Sequence, residues 1–379
     1  MSDQQQSKIV GTVGAVCALG TVAMLLLLLV QRKKKQRQCN TEEYVRAGHV
    51  EQLYIYPMKS CRGNKRGCAH GEQRDRHFLV IDSARQNQML TGRIYPKMLL
   101  IGVHVEQGVL LVEFPNRSSP VEVNLKEVKE QNIVRRAKSW PASQLRMVGL
   151  GPGNWNPLFS DLQTDGLDCG DEVAKALDEF LLEGKAAATT EDGSGGGGTV
   201  GRKLRLLYYG GDWLYTERDP KPDKSWWSNN PVPDVQDKIA YMDLTGYMAF
   251  SSASVDDLNA HLASQEISID ARNFRPNLVV GGLPPFDEDR WLYVRAGEAE
   301  FVCYKPCTRC VMTTIDPDSG RKNEKMEPIK ELRKYRLAPG KLYEVFKESP
   351  IFGVNMAIVK PGRIQVGDTV WIRYKPSPF

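Results

Sequence analysis

"EAEFVCYKPCTRCVMTTIDPDSG", residues 298–320, places Cys303, Cys307 and Cys310 in a C-x3-C-x2-C pattern between two runs of β character, "EAEFVCY" and "CVMTTID". An iron–sulfur triple of the radical S-adenosylmethionine kind normally follows the first strand of a βα barrel and has an aromatic residue before its last cysteine. Here Arg309 holds that place, and only about 70 residues remain, too few for the rest of a barrel. A thioredoxin-like dithiol needs the N-terminus of a helix to lower the thiol pKa, whereas the β-branched "VMTTID" predicts a strand. Structural zinc would need a second pair, and Cys61 and Cys68 stand seven apart, looser than usual. Taken singly, each thiol reads as an ordinary buried cysteine.

Outward from this stretch the chain is built of short alternating apolar runs, "EQLYIYP", "RHFLVID", "LLIGVHVE", "VLLVEF", "LRLLYY", "NLVVGG" and "DTVWIRY", many ending in Gly, Pro, Asn or Asp. Helical spacing is confined to a few places. In "GDEVAKALDEFLLEG" Val173, Leu177, Phe180 and Leu181 share a face and Gly184 is a natural stop. In "SVDDLNAHLAS" Val255, Leu258 and Leu262 share a face, with Ser254 as the expected cap and Asp257 three residues on. "PIKELRKYRL" begins at Pro328. The fold class is therefore α+β and rich in β. The glycine-rich residues 186–201 read as a flexible loop, since no Lys-Ser/Thr pair follows to make a phosphate loop. Trp226 and Trp227, in a second long loop rich in proline, are expected to plug the core or to wall a pocket.

The N-terminus carries "IVGTVGAVCALGTVAMLLLLLV", residues 9–30, an uncharged apolar run long enough to cross a bilayer once as a helix. Arg32, Lys33, Lys34, Lys35 and Arg37 follow it, which predicts a cytosolic flank and a cytosolic body. These five cations match the net charge of +5, because Asp3 and Lys8 cancel, so residues 39–379 are formally neutral. A neutral body argues against general nucleic-acid binding. Eight cysteines in 379 residues, with no cleavable leader in view, predict reduced thiols.

The stretch "CTRCVMTTIDPDSG" resembles the signature of the MOSC domain, a β-barrel module that binds the molybdenum cofactor. In the same order along the chain, "YIYPMKSCRG", "RDRHFLV", "FRPNLVV" and "PGRIQVGDTVW" also resemble this family, and with the N-terminal anchor the whole is similar to the mitochondrial amidoxime-reducing component family from about residue 50 to the end. The resemblance implies a MOSC-type barrel (202–376) packed with a β-rich N-terminal MOSC domain (48–185), after an anchor and basic flank (1–38) forming one transmembrane helix. It further implies Mo-molybdopterin as cofactor, Cys310 as the thiolate on molybdenum, and Lys59, Ser60, Arg76, Thr245, Arg275, Thr308 and Arg309 as cofactor-binding residues.

The chemistry is coherent. A soft sulfur suits a dithiolene-bound metal, and an anionic tail wants Lys and Arg. The competing readings are a surface ion-pair cluster for Arg74, Asp75 and Arg76, and a solvated turn for Lys59. At Leu244 relatives tend to have a hydroxyl, so one contact is missing there or made by backbone. The implied activity is reduction of amidoximes, hydroxylamines, N-oxides or nitrite by oxygen-atom transfer. Cytochrome b5 and NADH-cytochrome b5 reductase are the implied electron donors, and the outer mitochondrial or reticulum membrane the implied location. The rival readings are a cofactor carrier or sulfur-relay module and a membrane-tethered adaptor without redox activity.

Overall fold

The computed structural model describes residues 43–69, 74–139, 162–182, 203–211, 213–216 and 239–378. The expected anchor at 9–30, Gly184, the glycine-rich loop and the Trp226–Trp227 pair lie outside these residues. No helix among the described residues is long and apolar enough to cross a membrane.

The chain is β-rich, with strands β1 (Val45–Ile55), β2 (Asn64–Arg66), β3 (Cys68–Ala69), β4 (Phe78–Asp82), β5 (Gln88–Met89), β6 (Gly102–Glu106), β7 (Val109–Glu113), β8 (Val121–Asn124), β9 (Val134–Lys138), β10 (Gln163–Asp168) and β11 (Leu204–Tyr208) in its first half. The second half supplies β12 (Tyr247–Ser251), β13 (Leu278–Gly281), β14 (Trp291–Ala296), β15 (Ala299–Thr308), β16 (Ile351–Lys360), β17 (Ile364–Gln365) and β18 (Thr369–Tyr374). A small closed barrel runs β10-β11-β4-β5-β9, and β6-β7-β8 form a separate three-stranded sheet. The larger sheet runs β13-β12-β16-β15-β14-β18-β1-β2, and because β13 also pairs with β1 it closes into a ring.

The first strand of the chain is thus a stave of the barrel otherwise made by its second half. β1 pairs antiparallel with both β18 and β13, and the short β3 pairs with β17. Val50 and Leu53 of β1 accordingly sit in the larger barrel's core with Trp291, Val294 and Ile372. Full burial of such side chains contributes about 2 kcal/mol each, so β1 is held there by packing as well as by its ladders.

The helices follow their apolar periodicity, with one correction at a cap. In Asp171–Leu182 the residues Val173, Leu177, Phe180 and Leu181 are buried, and Asp171 and Glu172 complement the helix dipole in the first turn. In Ser252–Leu262 the buried face is Val255, Leu258 and Leu262, but Ser251 is the cap, not Ser254. Ser254 is buried inside the helix, where its hydroxyl donates to Glu288 and accepts from the Phe286 N–H at 2.8 Å. A second correction concerns "VMTTID": Val311–Thr314 is a turn of 3-10 helix rather than a strand. Its threonines satisfy their hydroxyls locally, on the carbonyls of Cys310 (3.1 Å) and Val311 (2.8 Å), which favours a turn over a ladder.

Glu288 is fully buried and accepts from the Ser251 N–H and the Ser254 hydroxyl. Burial first, and then the neighbouring Asp289, push its carboxyl up to about 8. A carboxyl raised on folding keeps its proton in the native state while the unfolded chain has lost it, so stability falls as pH rises from the ordinary carboxyl value toward 8. Glu288→Gln keeps an acceptor oxygen and removes the titration. Compared by urea midpoint at pH 5 and pH 8, the wild type should lose about 2 kcal/mol more than the variant; parallel losses would show that Glu288 does not titrate in this window.

Candidate active site

One cavity, of about 290 Å³, opens between the segment after β1, the loop before β12, the turn before β13 and the segment after β15. All eight residues expected at a cofactor line it: Lys59, Ser60, Arg76, Thr245, Arg275, Thr308, Arg309 and Cys310. β15 carries register shifts at Glu300/Phe301, Cys303/Lys305 and Pro306/Thr308, the last at a proline that has no N–H for a ladder. These bulges re-aim the strand. Cys303 stays in the barrel core while Cys307 and Cys310 reach the cavity, so the three thiols do not converge.

The cationic side chains differ in how far their donors are committed. Lys59 is buried and donates to the Tyr241 carbonyl at 2.7 Å and to Asp243, which overturns its reading as a solvated turn residue. Arg76 pairs with Asp75, but this is no surface cluster: Asp75 is buried and also accepts from the Tyr56 N–H at 3.0 Å and the Asn277 amide at 2.7 Å, while Arg74 stays exposed. Burial works against the charge on Arg76, yet Asp75 holds its pKa above the ordinary arginine value. Arg309 is buried, with its fork on the carbonyls of Phe352 (2.7 Å from Nε) and Phe274 (3.0 Å from Nη1). Burial lowers its pKa, and its side chain serves to pin the turn that carries Cys310.

Arg275 stands apart from these. Its Nη1 donates to the Cys61 carbonyl at 2.6 Å, while its Nη2 is buried with no hydrogen-bond partner among the described residues. Burial, and then the nearby Arg76, push its pKa down to about 10. Ser60, Arg76 and Arg275 all have left-handed backbones, at φ 66°, 50° and 56°. Such strain at non-glycine residues is concentrated where a site needs side chains aimed in unusual directions.

Thr245 is buried, and its hydroxyl donates to the Tyr247 carbonyl at 2.9 Å. Thr308 is half-buried at the end of β15, opposite Ile351. Leu244 also lines the cavity while packing against the larger barrel's core. Cys310 is half-buried, and its side chain makes no capping hydrogen bond to the turn it precedes. Burial pushes up the thiol pKa of Cys307, and those of Cys61 and Cys303 reach about 12.

Sequence reasoning missed several residues here. Arg93 lines the cavity, faces the Cys310 side chain and pairs with Asp243 at 3.6 Å; the Cys310 charge and then Asp243 raise its pKa against the effect of burial. Asp243 thereby links Lys59 to Arg93. The signal for Arg93 was slight, one cation between a glycine and an aromatic run in "TGRIYP". Asn277 binds the Tyr54 carbonyl and Asp75 through its amide and receives the Met248 N–H, tying β1, the Asp75 turn and β12 together.

This donor set fits an anionic group with a soft centre. The wall carries Lys59, Arg76, Arg93, Arg275, Lys305 and Arg309 against the one lining carboxylate, Asp243, and one guanidinium N–H group is left over. A half-buried sulfur lies on the same wall.

A β-barrel of this kind beside a second small barrel defines the class: the sequence matches the MOSC domain over residues 236–371 and the MOSC N-terminal beta barrel domain over residues 47–147. Over nearly its whole length the chain is similar to "Mitochondrial amidoxime-reducing component 1" of Mus musculus, 30% identical over 369 residues that span 94% of this chain and 91% of the relative. "Mitochondrial amidoxime reducing component 2" of Bos taurus is 32% identical over 337 residues, 86% of this chain and 83% of the relative. The corresponding component 2 of Rattus norvegicus is 29% identical, covering 94% and 90%. The chain belongs to the mitochondrial amidoxime-reducing component family.

Proposed function

We propose that this chain is a molybdenum-cofactor oxidoreductase that reduces N-hydroxylated compounds such as amidoximes and hydroxylamines. The observation that carries the reading is the half-buried Cys310 side chain on a cavity ringed by cations, one of which, Arg275, presents a buried N–H group without an acceptor. Names of relatives 30% identical over 94% of the chain support the substrate class and a mitochondrial location.

When bound, the cofactor would supply the two-electron removal of oxygen from an N–OH group. Cys310 would ligate the metal through sulfur. Arg275 and Arg76 would meet anionic groups with forked donors, Lys59 and Arg93 would add charge while Asp243 holds them in place, and Ser60, Thr245 and Thr308 would offer hydroxyls. Arg309, already committed to two backbone carbonyls, would fix the position of the Cys310 turn. Cytochrome b5 and its NADH-dependent reductase are the proposed electron donors. Residues 9–30 are the proposed single anchor in the outer mitochondrial membrane, with the body in the cytosol.

Purified full-length protein from a host that makes the cofactor should contain molybdenum and pterin and should reduce benzamidoxime when given an electron donor. Metal without turnover would favour a carrier; no metal would end the proposal.

A further inference from the structure

Behind the cavity, Tyr56 is almost wholly buried, yet its hydroxyl has no hydrogen-bond partner among the described residues. A buried hydroxyl left unpaired is unfavourable, so what the position keeps is the ring. Both site guanidinium groups lie over that ring, Arg76 with its central carbon 4.7 Å from the centroid and Arg275 at 4.2 Å. The backbone repeats the linkage: the Tyr56 N–H goes to Asp75, and the Tyr56 carbonyl receives the Arg76 N–H at 2.7 Å. Only Arg76 has a carboxylate, Asp75, so the pair carries one uncompensated charge beside the cavity.

We infer that Tyr56 is the positioning residue that holds Arg76 and Arg275 side by side, its ring face offsetting the repulsion between them so that both present donors to one anionic ligand in the cavity. The inference rests on the proposed cofactor for the identity of that ligand, but the pairing itself is a property of this chain. An aromatic face attracts a guanidinium through its quadrupole, and more strongly where water is excluded. Gly63 presses on the ring's edge, where an added Cβ would lie 2.2 Å from Cε1 of Tyr56. A side chain at 63 must therefore displace the ring without touching either arginine's chemistry.

The test uses full-length wild type, Tyr56→Phe, Tyr56→Leu and Gly63→Ala, each checked by circular dichroism. Protein from a host lacking the cofactor is titrated with inorganic pyrophosphate by calorimetry, and protein from a competent host is assayed for molybdenum and pterin. Tyr56→Phe should match wild type in both measurements. Tyr56→Leu and Gly63→Ala should bind pyrophosphate about tenfold more weakly or worse and hold correspondingly less cofactor. If Tyr56→Leu does not fold, Gly63→Ala carries the comparison.

Wild-type affinity in Tyr56→Leu or Gly63→Ala would overturn the proposal. So would a Tyr56→Phe variant as weak as the leucine one, or a wild type indifferent to pyrophosphate. A wild type that binds pyrophosphate but never contains molybdenum or pterin would instead sink the proposed cofactor and leave the role of Tyr56 standing.

Discussion

Replacing Cys310 by serine is expected to leave the fold intact and to remove amidoxime reduction, by more than about a hundredfold. The first half follows from the local geometry. Cys310 precedes the Val311–Thr314 turn, and its contribution to that turn is a carbonyl, which accepts the Thr313 hydroxyl and N–H, each at 3.1 Å. Serine retains that carbonyl, and the exchange of one small half-buried polarizable atom for another should change stability by less than about 1 kcal/mol. The second half follows from ligand chemistry. A serine hydroxyl is harder and far less acidic than a thiol, and loss of partners that merely orient a metal ligand already costs about 10–100-fold. Thermal unfolding, molybdenum content and benzamidoxime turnover should be read on the same preparation. Turnover within tenfold of wild type would remove Cys310 from the metal's coordination.

Arg275→Met should separate stability from function in the opposite sense to most core substitutions. In the folded chain the guanidinium is buried, its pKa lowered to about 10 by burial and by Arg76, and its Nη2 lacks an acceptor. A depression of that size corresponds to a native-state cost of about 3 kcal/mol at neutral pH. Methionine gives up the hydrogen bond to the Cys61 carbonyl and the contact with the Tyr56 ring, together about 2 kcal/mol. The variant is therefore expected to be as stable as wild type or more so, by up to about 1 kcal/mol, while its molybdenum and pterin content falls at least about tenfold. The urea midpoint and the metal assay decide it. A variant that keeps its cofactor would show that Arg275 is not a ligand-binding group, and one destabilised by several kcal/mol would show that its cation is structural.

The sign of the pH effect fits the same picture. As a base lowered on folding, Arg275 is charged in both states at neutral pH. Its destabilising effect is relieved only as pH rises through about 10 toward the ordinary arginine value.

The strands and the apolar faces of the helices were legible because they follow periodicity, as at Val173, Leu177, Phe180 and Leu181. The Val311–Thr314 turn was not, since β-branched residues in a short run give the same local signal whether their hydroxyls face a ladder or fold back on the chain. The cap at Ser251 was misplaced to Ser254 because the true partner of Ser254, Glu288, is 34 residues away. Ordered motifs placed eight residues around one cavity, yet Arg93 and Tyr56 went unassigned. Arg93 belongs to the site through Asp243 and Cys310, and Tyr56 through two arginines distant in sequence, and neither relation leaves a mark on neighbouring letters.

The ring that includes β1 sets the order of events on the ribosome. Val45 at one end of the chain must find Ile372 near the other, and His49 must find both Thr369 and Gly281. Such distant pairings form late and slowly. Until translation is nearly finished, β1 is an open edge with no mate, a hazard for aggregation that chaperones have to shield. A nonsense codon anywhere ahead of position 369 would leave that edge permanently unmatched, so even short C-terminal truncations should yield insoluble chains rather than weakened ones.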